Sequence, residues 1–144
     1  MRKIKFYLMI IIGVALLISC AFAQENPLTP EQEKIVKEIV PEGNSYAIQQ
    51  IAAIDLDNDK VNEAVVIYFY GAHSSGAKVI KFQDGKGVVI FEHETGTPVT
   101  EFDVIDNVPT ITFEQSDFKP DYVSGGRFRD IYRWNGKDFK LFAP

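Results

Sequence analysis

Apolar residues follow three different patterns along this chain. From Phe6 to Ile18 they run almost unbroken, interrupted only by Gly13. At Ile35, Val36, Ile39 and Val40 they fall at i, i+1, i+4 and i+5, which is one stripe of a helix of about three turns. Beyond Tyr46 they come as short runs rich in β-branched and aromatic residues, punctuated by Gly, Asn, Asp and Pro. That pattern predicts strands and turns.

The helix is predicted over 30–40. Thr29 can accept from early backbone amides, Pro30 suits the first helical position, and Gln32 completes a capping box. Pro41 and Gly43 stop it. The strands are predicted at Tyr46–Ile54, Ala64–Tyr70, Lys78–Phe82, Val88–Phe91, Val99–Ile105, Thr110–Gln115, Arg127–Trp134 and Asp138–Phe142. Hairpin turns fall at Gln83–Gly87, at Asp106–Pro109 and at Asn135-Gly136. Two longer loops remain, Gly71–Gly76 and Ser116–Gly126. The fold class is therefore mainly β, with antiparallel meanders in two blade-like units and one N-terminal amphipathic helix. Two blades cannot close a propeller, which takes about four to eight. The sheets must pack face to face, lie under the helix, or assemble with copies of the chain. A compact monomer with the helix sealing one apolar face or edge is the expectation.

A faint internal echo accompanies this. Ile54-Asp55 resembles Phe102-Asp103. Val79–Lys86 resembles Ile131–Lys137, and Val89–Phe91 resembles Phe139–Phe142. The offsets are 48 and about 51 residues. Asp103, Asp106 and Asn107 would then be a decayed copy of an acidic loop in the first unit; chance similarity between hairpins explains the echo equally well.

The first apolar run changes the domain picture. Arg2, Lys3 and Lys5 precede it and small residues follow it, as in a targeting segment too short to span a membrane. Two cleavage sites compete. Ala21-Phe22-Ala23 predicts a signal peptide over 1–23. Leu17-Ile18-Ser19-Cys20 resembles a bacterial lipoprotein box, with a leader over 1–19 and lipid on Cys20, the one cysteine of the chain. A diacyl group plus an N-acyl chain would anchor stably. Residues 24–28 read as a tether and 29–144 as a single β-rich domain. The place predicted is periplasmic or extracellular, or the outer membrane if the cysteine is lipidated. Without the three basic leader residues the chain holds 12 basic and 20 acidic residues, a net of −8. That disfavours nucleic acid and anionic membrane surfaces as partners, so membrane contact is expected only through an N-terminal lipid.

The strongest chemical feature is the loop Asp55-Leu56-Asp57-Asn58-Asp59-Lys60-Val61-Asn62-Glu63, with carboxylates at its first, third, fifth and ninth positions. Four carboxylates so close repel one another unless a cation sits among them, and calcium takes about six to eight oxygen ligands from such alternating positions. The loop is similar to the calcium loop of FG-GAP and integrin-like (VCBS-type) repeats, Asp-x-Asp-x-Asp-Gly-x-x-Asp followed by an apolar strand. The resemblance covers about 20 residues. It implies Asp55, Asp57, Asp59, Glu63 and the Val61 carbonyl as calcium ligands, in a structural role. It departs at Lys60, where the family has Gly at a turn position that needs positive φ. An EF-hand is excluded, since Val66 stands at the twelfth position and no helix pattern follows. Magnesium and zinc are disfavoured by the all-protein carboxylate set. The competing reading is a solvated acidic turn, since Asp and Asn are common turn formers.

Other constellations are weaker. Gly71–Lys78 lacks the Gly-Lys and the following helix of a phosphate loop. His73, Ser74 and Ser75 lack a nucleophile elbow, and His93 is expected at a surface strand end between Glu92 and Glu94. Tyr122 and Arg127 could present a ligand contact from the second long loop, although strand aromatics there usually pack. The chain thus reads as non-enzymatic, a secreted or envelope-anchored module that binds an envelope or extracellular macromolecule. The alternatives are a periplasmic inhibitor or accessory protein inserting the Gly71–Gly76 loop, and a small hydrolase.

Overall fold

The computed structural model describes residues 27–43, 46–71, 73–96, 99–118 and 124–143. The expected leader, Cys20, residues 24–26 of the tether and Tyr122 lie outside them.

Helix α1 (Pro30–Ile39) forms as its ends dictate. The Thr29 hydroxyl accepts from the Gln32 amide at 3.2 Å, and the Gln32 side chain accepts from the Thr29 amide at 2.9 Å. Glu31 and Glu33 in the first turn and Lys37 in the last suit the helix dipole. Eight strands follow: β1 (Tyr46–Ile54), β2 (Glu63–Tyr70), β3 (Ser74–Gln83), β4 (Lys86–Thr95), β5 (Val99–Ile105), β6 (Val108–Phe118), β7 (Ser124–Trp134) and β8 (Phe139–Ala143). They make two antiparallel four-stranded meanders, ordered β1-β2-β3-β4 and β5-β6-β7-β8. The fold is mainly β, with a single helix among the described residues.

Three layers result. Val65, Ile67, Ala77 and Val79 from the first sheet, with Leu56 from the loop between β1 and β2, meet Ile111, Phe113 and Phe139 from the second, so the sheets pack face to face. The opposite face of the first sheet, with Ala64, Val66, Tyr68 and Ile80, is covered by Leu28, Val36 and Val40 of the helical segment. Strand β2 is consequently buried on both faces, which explains its unbroken apolar run. Gly87 lets the helix come this close. A Cβ there would lie 2.6 Å from both Ile35 Cγ2 and Ile39 Cδ1. Gly87→Ala is expected to cost about 1–3 kcal/mol through overpacking, read as a lowered urea midpoint. A change below about 0.5 kcal/mol, the range of ordinary surface substitutions, would mean the helix does not dock there.

The strands run longer than the apolar pattern predicts, and both long loops shrink. Ser74, Ser75 and Gly76 belong to β3, paired with Tyr70, Phe69 and Tyr68, and Gly71 and His73 are turn residues. Gly76 is a sheet residue because Tyr68 requires it, since a Cβ would sit 2.8 Å from the tyrosine ring. Strands β6 and β7 likewise take up 116–118 and 124–126, and the Arg127 backbone pairs with Ser116 inside the sheet rather than in a loop.

Two of the three echoing pairs fall on the third and fourth strands of each meander, while Ile54 and Phe102 lie on the first strands. The candidate decayed copy has a different geometry from the loop at 55–63. Asp106 (φ 53°) and Asn107 (φ 61°) make a two-residue turn, and Asp103 accepts from the Val104 amide at 2.7 Å. A turn that short, with both residues left-handed, favours a tight hairpin and leaves no loop to gather carboxylates. The Asn135-Gly136 connection spans four residues, because the Asn135 side chain accepts from the amides of Lys137 and Asp138.

Candidate metal centre

The acidic loop joins β1 to β2, with Ile54 and Glu63 paired at its base. Its carboxylates first organise the loop itself. Asp55 accepts from the amides of Asp59 (3.1 Å) and Lys60 (3.0 Å), and Asp59 accepts from Val61 (2.8 Å). Asn58 (φ 62°) and Lys60 (φ 70°) are left-handed. Asn tolerates that conformation well; Lys does so at a cost of about 1 kcal/mol or more. The glycine that the resemblance places at this position would have suited the turn.

Two contacts tie the loop to the core. Leu56 inserts between the sheets, and its carbonyl accepts the Trp134 indole N–H at 2.9 Å. Its amide donates to Glu63 Oε2 at 2.8 Å. Glu63 is 1% exposed, and its second oxygen, Oε1, is buried with no hydrogen-bond partner. Burial pushes the Glu63 carboxyl above the usual carboxylate range, against the lowering effect of the Leu56 amide.

One oxygen each from Asp55, Asp57 and Glu63 lies within 4.8 Å of the others. An all-oxygen set this tight could hold a hard cation with bonds of about 2.3–2.6 Å. Of the predicted ligands, the fold thus gathers Asp55, Asp57 and Glu63. Asp59 falls outside that trio, turned to the Val61 amide and to Lys81. These two hold its carboxyl below its ordinary value, the Val61 amide contributing most. Val61 is exposed and gives its amide to Asp59.

Sequence reasoning missed two residues here. Lys81, from β3, bonds Asp57 and also Asp59 at 3.1 Å. Its ammonium lies 3.9 Å from Glu63 Oε1, and the aspartates raise its pKa. A lysine inside the apolar run Val79-Ile80-Lys81-Phe82 was the available signal. Trp134 was legible only as the chain's one tryptophan, whose N–H needs a partner when buried.

The remaining candidates are placed differently from expectation. His73 is exposed in its turn. Ser75 is buried and bonds Thr100 at 2.6 Å. His93 is not at the surface; it packs between the sheets, 4.6 Å from the Phe113 ring and 5.1 Å from Tyr132. Alternation along β4 turns it inward while Glu94 on the other face bonds the Tyr68 hydroxyl. Among the described residues no helix is long and apolar enough to cross a membrane.

Comparisons with protein-family models, with curated proteins and with solved structures return no match to this chain.

Proposed function

We propose that this protein is a secreted or envelope-anchored, non-enzymatic binding module whose loop 55–63 holds a structural calcium ion. The observation that carries the calcium reading is the buried Glu63 oxygen left without a hydrogen bond beside Asp55 and Asp57. A buried acceptor left unsatisfied costs about 1–3 kcal/mol or more when charged, and a bound cation would remove that cost. Calcium would be held by Asp55, Asp57 and Glu63, with Asp59 and the Val61 carbonyl as further ligands after local rearrangement. It would supply charge neutralisation and a cross-link between the ends of the hairpin.

The partner class, an envelope or extracellular macromolecule, rests on the resemblance to FG-GAP repeats, on the leader-like N-terminus and on the acidic charge. The reading as an inhibitor with an inserted 71–76 loop loses support, because half of that segment is sheet.

The test uses Trp134, whose indole is bonded to the loop. Calcium added to the protein is expected to change its fluorescence saturably, with a dissociation constant of about 10⁻⁴–10⁻³ M, as in extracellular modules. Asp57→Ala is expected to abolish the response. An unresponsive protein, or an equal response in Asp57→Ala, would remove the calcium reading.

A further inference from the structure

We propose that Lys81 is the built-in competitor of the metal: its ammonium bridges the two outer carboxylates, Asp57 and Asp59, when no divalent cation is bound, and a divalent cation enters only by displacing it. This deepens the calcium reading and rests on it. The acidic cluster alone would say little. The second observation is Glu63, 1% exposed, whose Oε1 faces the cluster without a hydrogen bond.

Lys81 accounts for the rest of the cluster and fails at that one atom. It bonds Asp57 and Asp59, and its side chain is only 19% exposed. At 3.9 Å from Glu63 Oε1 its ammonium is beyond hydrogen-bond range. One positive charge therefore bonds the two outer carboxylates and leaves the inner Glu63 Oε1 with a long ion pair and no hydrogen bond. A divalent ion among Asp55, Asp57 and Glu63 would serve the inner oxygen, but it would share Asp57 with the ammonium. Two cations on one carboxylate at contact distance repel strongly where water is partly excluded. Lysine has a flexible four-carbon stem and can carry its charge outward to solvent. The loop then has two states, one held by lysine and one by metal. The lysine weakens metal affinity and keeps the hairpin folded without metal.

Calorimetric titration of the protein with calcium tests this. Lys81→Met is expected to bind calcium about tenfold or more tightly than the native chain. Lys78→Met is the control, because Lys78 lies on the opposite face of β3 and pairs with Glu92 at 3.0 Å. It is expected to leave the affinity unchanged. A second measurement needs no variant and decides the matter if Lys81→Met does not fold. Amine-reactive labelling, read by mass spectrometry, should modify Lys81 slowly in chelator and several-fold faster in calcium, with Lys78 and Lys86 unchanged. If the native chain binds calcium but Lys81→Met binds it equally well, or the Lys81 labelling rate is unaffected, the competitor role is wrong and the calcium reading survives. If the native chain binds no calcium, the reading beneath it fails.

Discussion

Phe113→Ala is expected to be the most damaging single substitution in the fold, costing about 3–5 kcal/mol. Phe113 has no exposed surface and stands on β6 at the centre of the contact between the two sheets, with Ile111, Val65 and Ile67 in the same cluster. His93 meets its ring edge-on from β4, and Tyr132 meets it from β7 at 5.7 Å. These neighbours are fixed by two different sheets, so the cavity left by the ring cannot collapse cheaply. Domains of this kind have only about 5–15 kcal/mol of stability to lose. Urea denaturation should show a greatly reduced midpoint with an unchanged slope. Phe142→Ala provides the contrast, because Phe142 is 64% exposed on the edge strand β8 and its loss should stay near 0.5 kcal/mol. Equal effects at the two positions would mean that the sheets do not share a core at Phe113.

Glu63→Gln is expected to have effects of opposite sign in chelator and in calcium. Without metal, the buried carboxylate is a liability: burial raises its pKa, and one oxygen lacks a hydrogen bond. An amide of the same shape can still accept from the Leu56 amide, and its NH₂ can donate to neighbouring carboxylates, so the variant should be at least as stable as the native chain in chelator. In calcium the ranking reverses. A ligand at a hundred times its dissociation constant stabilises by about 2.7 kcal/mol, and Glu63→Gln should forfeit nearly all of it. Paired thermal melts check this. A variant less stable than the native chain by the same amount in both media would make Glu63 an ordinary structural residue.

Local features were legible in the sequence and distant ones were not. The helix announced itself through Thr29, Pro30, Gln32 and the stripe ending at Val40, all within twelve residues. β1 and β5 were bounded correctly because turn residues flank their apolar runs. The starts of β3 and β7 were missed because Ser74-Ser75-Gly76 and Ser124-Gly125-Gly126 carry no apolar signal. At the first of these, Gly76 is required by the Tyr68 ring opposite it, eight residues away in sequence. The acidic loop was legible because its carboxylates are neighbours in the chain. Lys81, 24 positions from Asp57, and Trp134, 78 from Leu56, reach it only through the pairing of β3 with β2 and the stacking of the sheets. His93 was misplaced for the same reason. The polar triplet Glu92-His93-Glu94 looks like surface until a second sheet lies over its middle residue.

The most direct measurement is the melting temperature of the native protein in chelator and then in about 10–100 mM calcium, a hundred times the expected dissociation constant. If loop 55–63 is a calcium site filled to a hundred times its dissociation constant, the midpoint should rise by roughly 10 °C for a domain of this size. An unchanged midpoint across that range would contradict it and leave Asp55, Asp57 and Glu63 as an acidic hairpin with Lys81 as its cation.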